Sequence, residues 1–514
     1  MQQGLKQNLL DINPPSPVDF SSQSPDPVHA LNSANSAIQD RNFELANQML
    51  NDKTLEAAQK YLLQNPQRID LIVSIATALC KINGFDSAEK LCLDTLNNTQ
   101  NAAIYNKLAT ILLYKGRLTE AFIHQAKAFS LEPEKPELAA NMARLLIETG
   151  HTNKGITLLR NAVDNMPNNS QAHSNLLFRL HQQQELDYRF IFEEHLRWAM
   201  RHVPAERART NHANNPDPSK KLRVGYISPD FRLNSVAYFF ESLLDGHNRN
   251  EVELFGYGNI EFHDQFTERL MQKFDIYQNV YHLSDRQLAD LIDENKIDIL
   301  VDLAGHTGNN RLTAMAYKPA PIQVTYLGYP NTTGIRAIDY RFTDSDCEMP
   351  NSQQFYTEQL INLPDGFLCY RPPDHAQGVS APPCKENGFI TFGSFNNNCK
   401  INPALVKLWA DVLNEIPRSK MLLKIKGGQF PEIQAPYFTM FETAGINPER
   451  INIIGWVPPE EHHQTYSLVD IALDTYPYNG TTTTCEALWM GVPVITLVGG
   501  HHISRVGLSI LKRI

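Results

Sequence analysis

Cysteine, long apolar runs and concentrated basic charge are all scarce in this chain of 514 residues, and each scarcity closes off a class of protein. The seven cysteines, at 80, 92, 347, 369, 384, 399 and 485, are odd in number, scattered and without a C-x-x-C pair. That argues against a disulfide framework and against a structural zinc site, and a reducing, cytoplasmic setting fits. No run of about 18 apolar residues occurs, so no membrane-spanning helix is expected. The opening MQQGLKQNLLDINPPSP lacks a basic stretch followed by an apolar core, so no secretory leader of the usual kind is expected. A formal net charge of -10 without a long basic run disfavours nucleic acid and anionic membranes as partners. What remains is ordinary globular material, 42% hydrophobic and 20% charged, long enough for three or four domains.

Composition and periodicity divide the chain. Residues 1–35 are rich in Pro, Ser, Asn and Gln and poor in large apolar side chains, so disorder is expected there. From 36 to 206 a period of about 34 residues, the tetratricopeptide spacing, organises the apolar positions. One copy holds Leu108, Ala109, Leu112, Gly116, Ala121, Ala128 and Pro133, and the next holds Met142, Ala143, Leu146, Gly150, Gly155, Ala162 and Pro167. The small residues let paired helices approach closely, and each proline ends the second helix of its pair. Asn141 and Asn175 lie one period apart, where amides can pair with the backbone of a bound polypeptide. A polar segment, 207–221, reads as a linker.

Beyond it, short apolar runs alternate with helical patterns, which implies parallel, doubly wound sheets. The first set, 222–370, has strands at 222–228, 252–257 and 298–303. A Pro-rich linker, 371–387, precedes a second set, 388–514, with strands at 389–392, 421–425, 451–454, 471–473 and 494–496. The expected fold is therefore an all-α repeat superhelix followed by two Rossmann-like α/β lobes.

The richest stretch is DTYPYNGTTTTCEALWMGVPVIT, Asp474 to Thr496. A buried strand feeds a turn of Asn479, Gly480 and four threonines that opens into a helix. Backbone N–H groups, hydroxyls and the positive end of a helix dipole then converge on one point, which suits a diphosphate. The same pattern also describes a hydrophilic turn that only caps its helix. Glu486 falls about one turn beyond Thr483, within reach of a ribose.

Taken together, LRVGYISPDF (222–231), DLAGHTGNN (302–310), APIQVTYLGYPNTTG (320–334), FGSFNNNCKI (392–401) and DTYPYNGTTTTCEALWMGVP (474–493) resemble the SPINDLY and O-GlcNAc transferase family of protein O-glycosyltransferases, the SPINDLY branch more closely. The resemblance implies a GT-B fold and an inverting, metal-independent transfer without a cofactor. The donor would be a nucleotide sugar and the acceptor a Ser/Thr hydroxyl on a polypeptide bound by the repeats. UDP-N-acetylglucosamine is the first donor expected and GDP-fucose the alternative; a non-catalytic repeat scaffold with a decayed transferase domain is the reading from another class. By the same resemblance, Lys400 neutralises the departing diphosphate, Asn397 stands where the family has a donor-binding amide, and His462 packs on the base. Thr481, Thr482 and Thr483 form the phosphate turn, Glu486 contacts the ribose, and His306 faces the active site as a catalytic group.

Two departures stand out. Where the family often has a histidine shortly after SPDF, a candidate general base, this chain has Asn234, and an amide takes no proton. A GT-B carboxyl lobe normally continues past a strand such as that at Val494 with further helices, so the second lobe is expected to be incomplete at Ile514. Finally, Asp344-Ser345-Asp346 spells a D-x-D of the metal-binding kind. It is remote in sequence from the Thr481 turn, where Lys400 already supplies positive charge, and no metal is expected.

Overall fold

The computed structural model describes residues 26–39, 42–183, 185–203, 207–261, 263–376 and 378–514. They fall into two compact units, one running up to Lys115 with Ile123–Leu131, the other comprising Gly116–Phe122 and Glu132–Ile514.

The first unit is helical, with helices Pro27–Gln39, Phe43–Met49, Asp52–Gln64, Ile69–Lys81, Phe85–Leu96 and Ala102–Tyr114. Ile72, Ile75, Ala76 and Leu79 bury one stripe of their helix, and Ala88 and Cys92 answer from the next. Helix Pro27–Gln39 corrects the expectation of disorder over 1–35. Ala30, Leu31, Ala34 and Ala37 recur at helical spacing and are buried, a stripe that the polar average of the segment conceals. Residues 1–25 of that expectation lie outside the described residues.

The second unit opens with helices Pro136–Glu148, Thr152–Asp164, Ser170–Leu180 and Tyr188–His202. Gly155 shows why the repeat keeps a small residue: a Cβ there would sit 2.5 Å from Ile147 Cγ1 and 2.7 Å from the Ala143 carbonyl oxygen. Asn175 is exposed on its helix. The segment 207–221, expected as a linker, is pinned to the α/β region. Arg209 pairs with Asp290, Asn214 donates to Asp298 at 2.8 Å, and the Lys220 ammonium meets the same carboxylate at 2.6 Å.

The first lobe is a sheet of β1 (Leu222–Ser228), β2 (Val252–Gly258), β3 (Ile276–Asn279), β4 (Ile299–Asp302), β5 (Ile322–Thr325), β6 (Tyr340–Thr343) and β7 (Gln359–Asn362). Its order is β3-β2-β1-β4-β5-β6-β7 and its pairs are parallel. The second lobe holds β8 (Thr391–Ser394), β9 (Lys420–Lys424), β10 (Ile451–Ile454), β11 (Ile471–Leu473) and β12 (Val494–Ile495), parallel in the order β10-β9-β8-β11-β12. Val224, Tyr226, Leu254, Val301 and Val324 face helices in the first core; Leu422, Val469 and Ala487 belong to the second. In each sheet the chain reverses direction of growth between two central strands, β1 and β4 in the first, β8 and β11 in the second. Ligands of such sheets sit outside the carboxyl ends of those strands.

Residues after β12 return to the first lobe. Ser509 Oγ donates to Asp344 at 2.6 Å, Arg505 to the Asp346 carbonyl at 2.8 Å, and His502 lies 2.8 Å from Glu348. Among the described residues no helix is long and apolar enough to cross a membrane.

Candidate donor site at the second switch point

The turn after β11 is organised by a buried carboxylate. Asp474 accepts from Gly480 N at 2.6 Å, Thr475 N at 2.8 Å and Thr496 Oγ1 at 2.8 Å, and so folds residues 474–480 back over the end of its strand. Burial pushes its carboxyl up to about 6 despite those donors. Helix Thr482–Trp489 starts from this turn, and Thr481 at its N-cap makes no side-chain cap. The first-turn N–H groups are left for a ligand, with the positive end of the helix dipole behind them. Gly480 is required by close approach: a Cβ there would lie 2.7 Å from Thr483 Oγ1, 2.8 Å from Thr484 Oγ1 and 3.0 Å from Asn396 Oδ1.

From the facing strand, β8, the chain runs through Phe395 to Lys400. The Asn397 side chain accepts from Cys399 N at 3.1 Å and holds a tight turn. Lys400 then places its ammonium 2.8 Å from the Asn479 carbonyl oxygen and 4.1 Å from the centre of the Tyr478 ring. Burial lowers the Lys400 pKa, and the nearby Asp474 charge opposes that fall. Lys400 and the Thr481–Thr483 turn are thus brought together, one cation beside one helix start. Thr483 Oγ1 donates to Asn396 Oδ1 at 3.0 Å. The inward amide is therefore Asn396, 6% exposed, while Asn397, the expected donor ligand, is exposed and serves as the turn's cap.

His462 and Glu486 also meet. His462 Nε2 lies 2.9 Å from Glu486 Oε2, to which the Tyr466 hydroxyl donates at 3.2 Å. Lys424, at the end of β9, donates to His462 Nδ1. That fixes the tautomer with Nε2–H pointing at Glu486. Burial brings the Lys424 ammonium down to about 8, the Glu486 charge opposing. Glu486 is thus already tied to His462 and Tyr466 on the buried side of the helix, a different position from a free ribose contact. Asn396, Lys424, Tyr466 and Asp474 are the site residues that sequence reasoning missed. Lys424 and Asp474 carried a signal, a charge at the carboxyl end of an apolar parallel strand; Asn396 and Tyr466 carried none.

His306 is corrected. It is fully buried, with Nδ1 3.0 Å from Ser174 Oγ, Nε2 2.8 Å from the Thr333 carbonyl oxygen, and the Trp198 ring edge-on at 4.7 Å. Burial drives it down to about 3. Both nitrogens are engaged and the ring is buried, so His306 joins the repeat helices to the first lobe and presents no free nitrogen, unlike the catalytic group expected. The D-x-D carboxylates are likewise occupied: Asp344 accepts from Asp346 N, Cys347 N and Ser509, and Asp346 pairs with Lys512 and Arg513.

Two parallel lobes, each with a switch point, and a cation facing a helix start at one of them define the GT-B class of fold. The chain belongs to glycosyl transferase family 41, whose model matches residues 162–380 and 384–514. It is 39% identical over 353 residues to the probable UDP-N-acetylglucosamine–peptide N-acetylglucosaminyltransferase SPINDLY of Solanum lycopersicum, covering 68% of this chain and 38% of that protein. To the SPINDLY of Arabidopsis thaliana it is 41% identical over 329 residues, 63% of this chain and 36% of that one. A solved Thermobaculum terrenum O-GlcNAc transferase mutant superposes with a TM-score of 0.82 at 34% identity, over 87% of this chain and 85% of that chain. The chain spans little more than a third of the length of the curated relatives it matches.

Proposed function

We propose that the chain is an inverting protein O-glycosyltransferase that moves one N-acetylglucosamine from UDP-N-acetylglucosamine to Ser/Thr hydroxyls of polypeptides. The observation that carries the reading is the Lys400 ammonium, held 2.8 Å from the Asn479 carbonyl oxygen beside the uncapped helix start at Thr481. In the reaction the acceptor oxygen bonds to the anomeric carbon, the bond from that carbon to the phosphate oxygen breaks, and its electron pair stays on the nucleoside diphosphate. Lys400 and the N–H groups of Thr481, Thr482 and Thr483 meet the charge as it grows there, which stabilises the transition state more than the ground state. The base end of the donor lies towards His462. The relatives named as N-acetylglucosaminyltransferases favour that sugar and peptide acceptors, and the repeat helices ahead of the lobes are the acceptor's platform. No cofactor and no metal take part. A cytoplasmic setting agrees with seven free cysteines.

The test is incubation of the purified chain with a Ser/Thr peptide library and either UDP-N-acetylglucosamine or GDP-fucose, read by mass spectrometry. Added N-acetylhexosamine from the UDP donor, retained in excess EDTA, is expected. Added deoxyhexose from the GDP donor instead overturns the sugar assignment. A loss in EDTA restored by Mn²⁺ overturns metal independence, and no transfer from either donor overturns the transferase reading.

A further inference from the structure

With Asn234 in place of a histidine and His306 sealed in the interior, the acceptor's proton has no destination among the groups named so far. The first lobe has its own switch point, and two carboxylates stand there. Asp302, at the end of β4, is 2% exposed and already accepts from Ala304 N at 3.2 Å, Gly305 N at 2.8 Å and Thr325 Oγ1 at 3.0 Å. Asp230, two residues beyond the end of β1, is different. Its Oδ1 accepts from Asn234 Nδ2 at 2.9 Å, its Oδ2 has no donor among the described residues, and part of it is open to solvent.

Asn234 is itself held. Its Oδ1 accepts from Val236 N at 3.0 Å as the N-cap of helix Ser235–Gly246, so the amide joins the helix start to the carboxylate and aims it. Four residues further, on the same face of that helix, stands Tyr238. Burial first, and then the charge of Glu486, raise its phenol. Asp230 and Asn234 stand just past the carboxyl end of β1, at the switch point beside β4, where ligands of such sheets sit.

We propose that Asp230 is the catalytic base of this transferase and that Asn234 is its positioning residue. The inference rests on the reading under Proposed function. As the acceptor oxygen bonds to the anomeric carbon, its proton passes to Asp230 Oδ2 while the leaving electron pair goes to the diphosphate beside Lys400. Asp230 afterwards returns the proton to water. Burial, with the Asp302 charge adding and Arg232 opposing, pushes the Asp230 carboxyl up to about 6. It is therefore ionised at neutral pH yet more basic than a surface carboxylate, as a general base requires. The residue that looked like a missing base is accordingly the arm that orients one.

The experiment is single-turnover transfer to a Ser/Thr peptide at saturating UDP-N-acetylglucosamine, with the parent, Asp230→Asn and Asp230→Glu, alongside UDP titration of each. Asp230→Asn is expected to slow transfer by about a hundredfold or more with UDP affinity unchanged, and Asp230→Glu to recover part of the rate. The parent's rate should fall on acidification through about pH 6, and the residual rate of Asp230→Asn should lack that limb. A parent rate flat across that range overturns the proposal even if the asparagine variant does not fold. So does Asp230→Asn working at near the parent rate, or losing rate only in proportion to UDP affinity. A parent that transfers no sugar at all overturns the transferase reading and this one with it; an active parent with an equally active Asp230→Asn overturns this one alone.

Discussion

A lysine ammonium over the Tyr478 ring with a single carbonyl oxygen as its hydrogen-bond partner is costly to bury, and the nearby Asp474 charge offsets that cost only in part. On the proposed reading, the Thr481–Thr483 turn meets a ground-state diphosphate with hydroxyls and N–H groups, and Lys400 is most valuable once the sugar bond has begun to break. Lys400→Ala is therefore expected to slow single-turnover transfer by roughly a hundredfold or more, about 3 kcal/mol in the barrier. Its effect on nucleotide affinity, measured by calorimetric titration, should be modest. Lys400→Arg should restore only part of the rate, because a planar guanidinium fills the space over Tyr478 differently from a point-like ammonium. An alanine variant that transfers at near the parent rate would remove the leaving-group role.

At the scale of the element, the turn and helix 474–489 work only at close quarters. Gly480→Ala would press its methyl on Thr483 Oγ1 and Asn396 Oδ1 and part the two walls of the donor site. UDP affinity is expected to fall on the order of tenfold, about 1.4 kcal/mol, with little change in melting temperature; unchanged affinity in titration would show that the walls give way freely. This turn was legible in the sequence because its residues are contiguous, and the same holds for strands such as LRVGYIS and INII, whereas Lys400 meets its carbonyl partner 79 residues away and was singled out only through the family resemblance. The strands IYQN, IQVT, YRFT and QLIN were not read, since their polar residues break the apolar run. One of those residues, Arg341, is nonetheless 1% exposed, donating to the carbonyls of Tyr329 and Asn331. His306 misled for a related reason. GHTGNN has the Gly/Asn composition of a ligand loop, and the Trp198 that buries it comes from more than a hundred residues earlier. Asn396 and Asn397 differ only in which way a tight turn points them, which composition does not encode.

Across the second unit, the join between repeat helices and first lobe is lined with histidines that burial keeps neutral. His173 and His306 are lowered to about 3, His181 and His202 to about 4, and His195 well below the ordinary range. Each folded pKa lies below the unfolded one, so the stability these groups supply is complete above about pH 6.5 and is lost as pH falls towards 3 to 4. The melting temperature should therefore drop steeply between about pH 6.5 and 5, by an amount set by a few kcal/mol from the fully buried rings. A flat profile in thermal melts over that range would mean the rings find compensating partners. The same helices touch the other lobe too. Asn398 Nδ2 donates to the Glu148 carbonyl at 2.7 Å and Lys426 lies 3.5 Å from its carboxylate, while Ser174 and His195 hold His306 and Tyr329 of the first lobe. The repeat helices of this unit are thus bonded to both lobes. Lobes held to a common support are expected to unfold together, which a single transition in calorimetry would check.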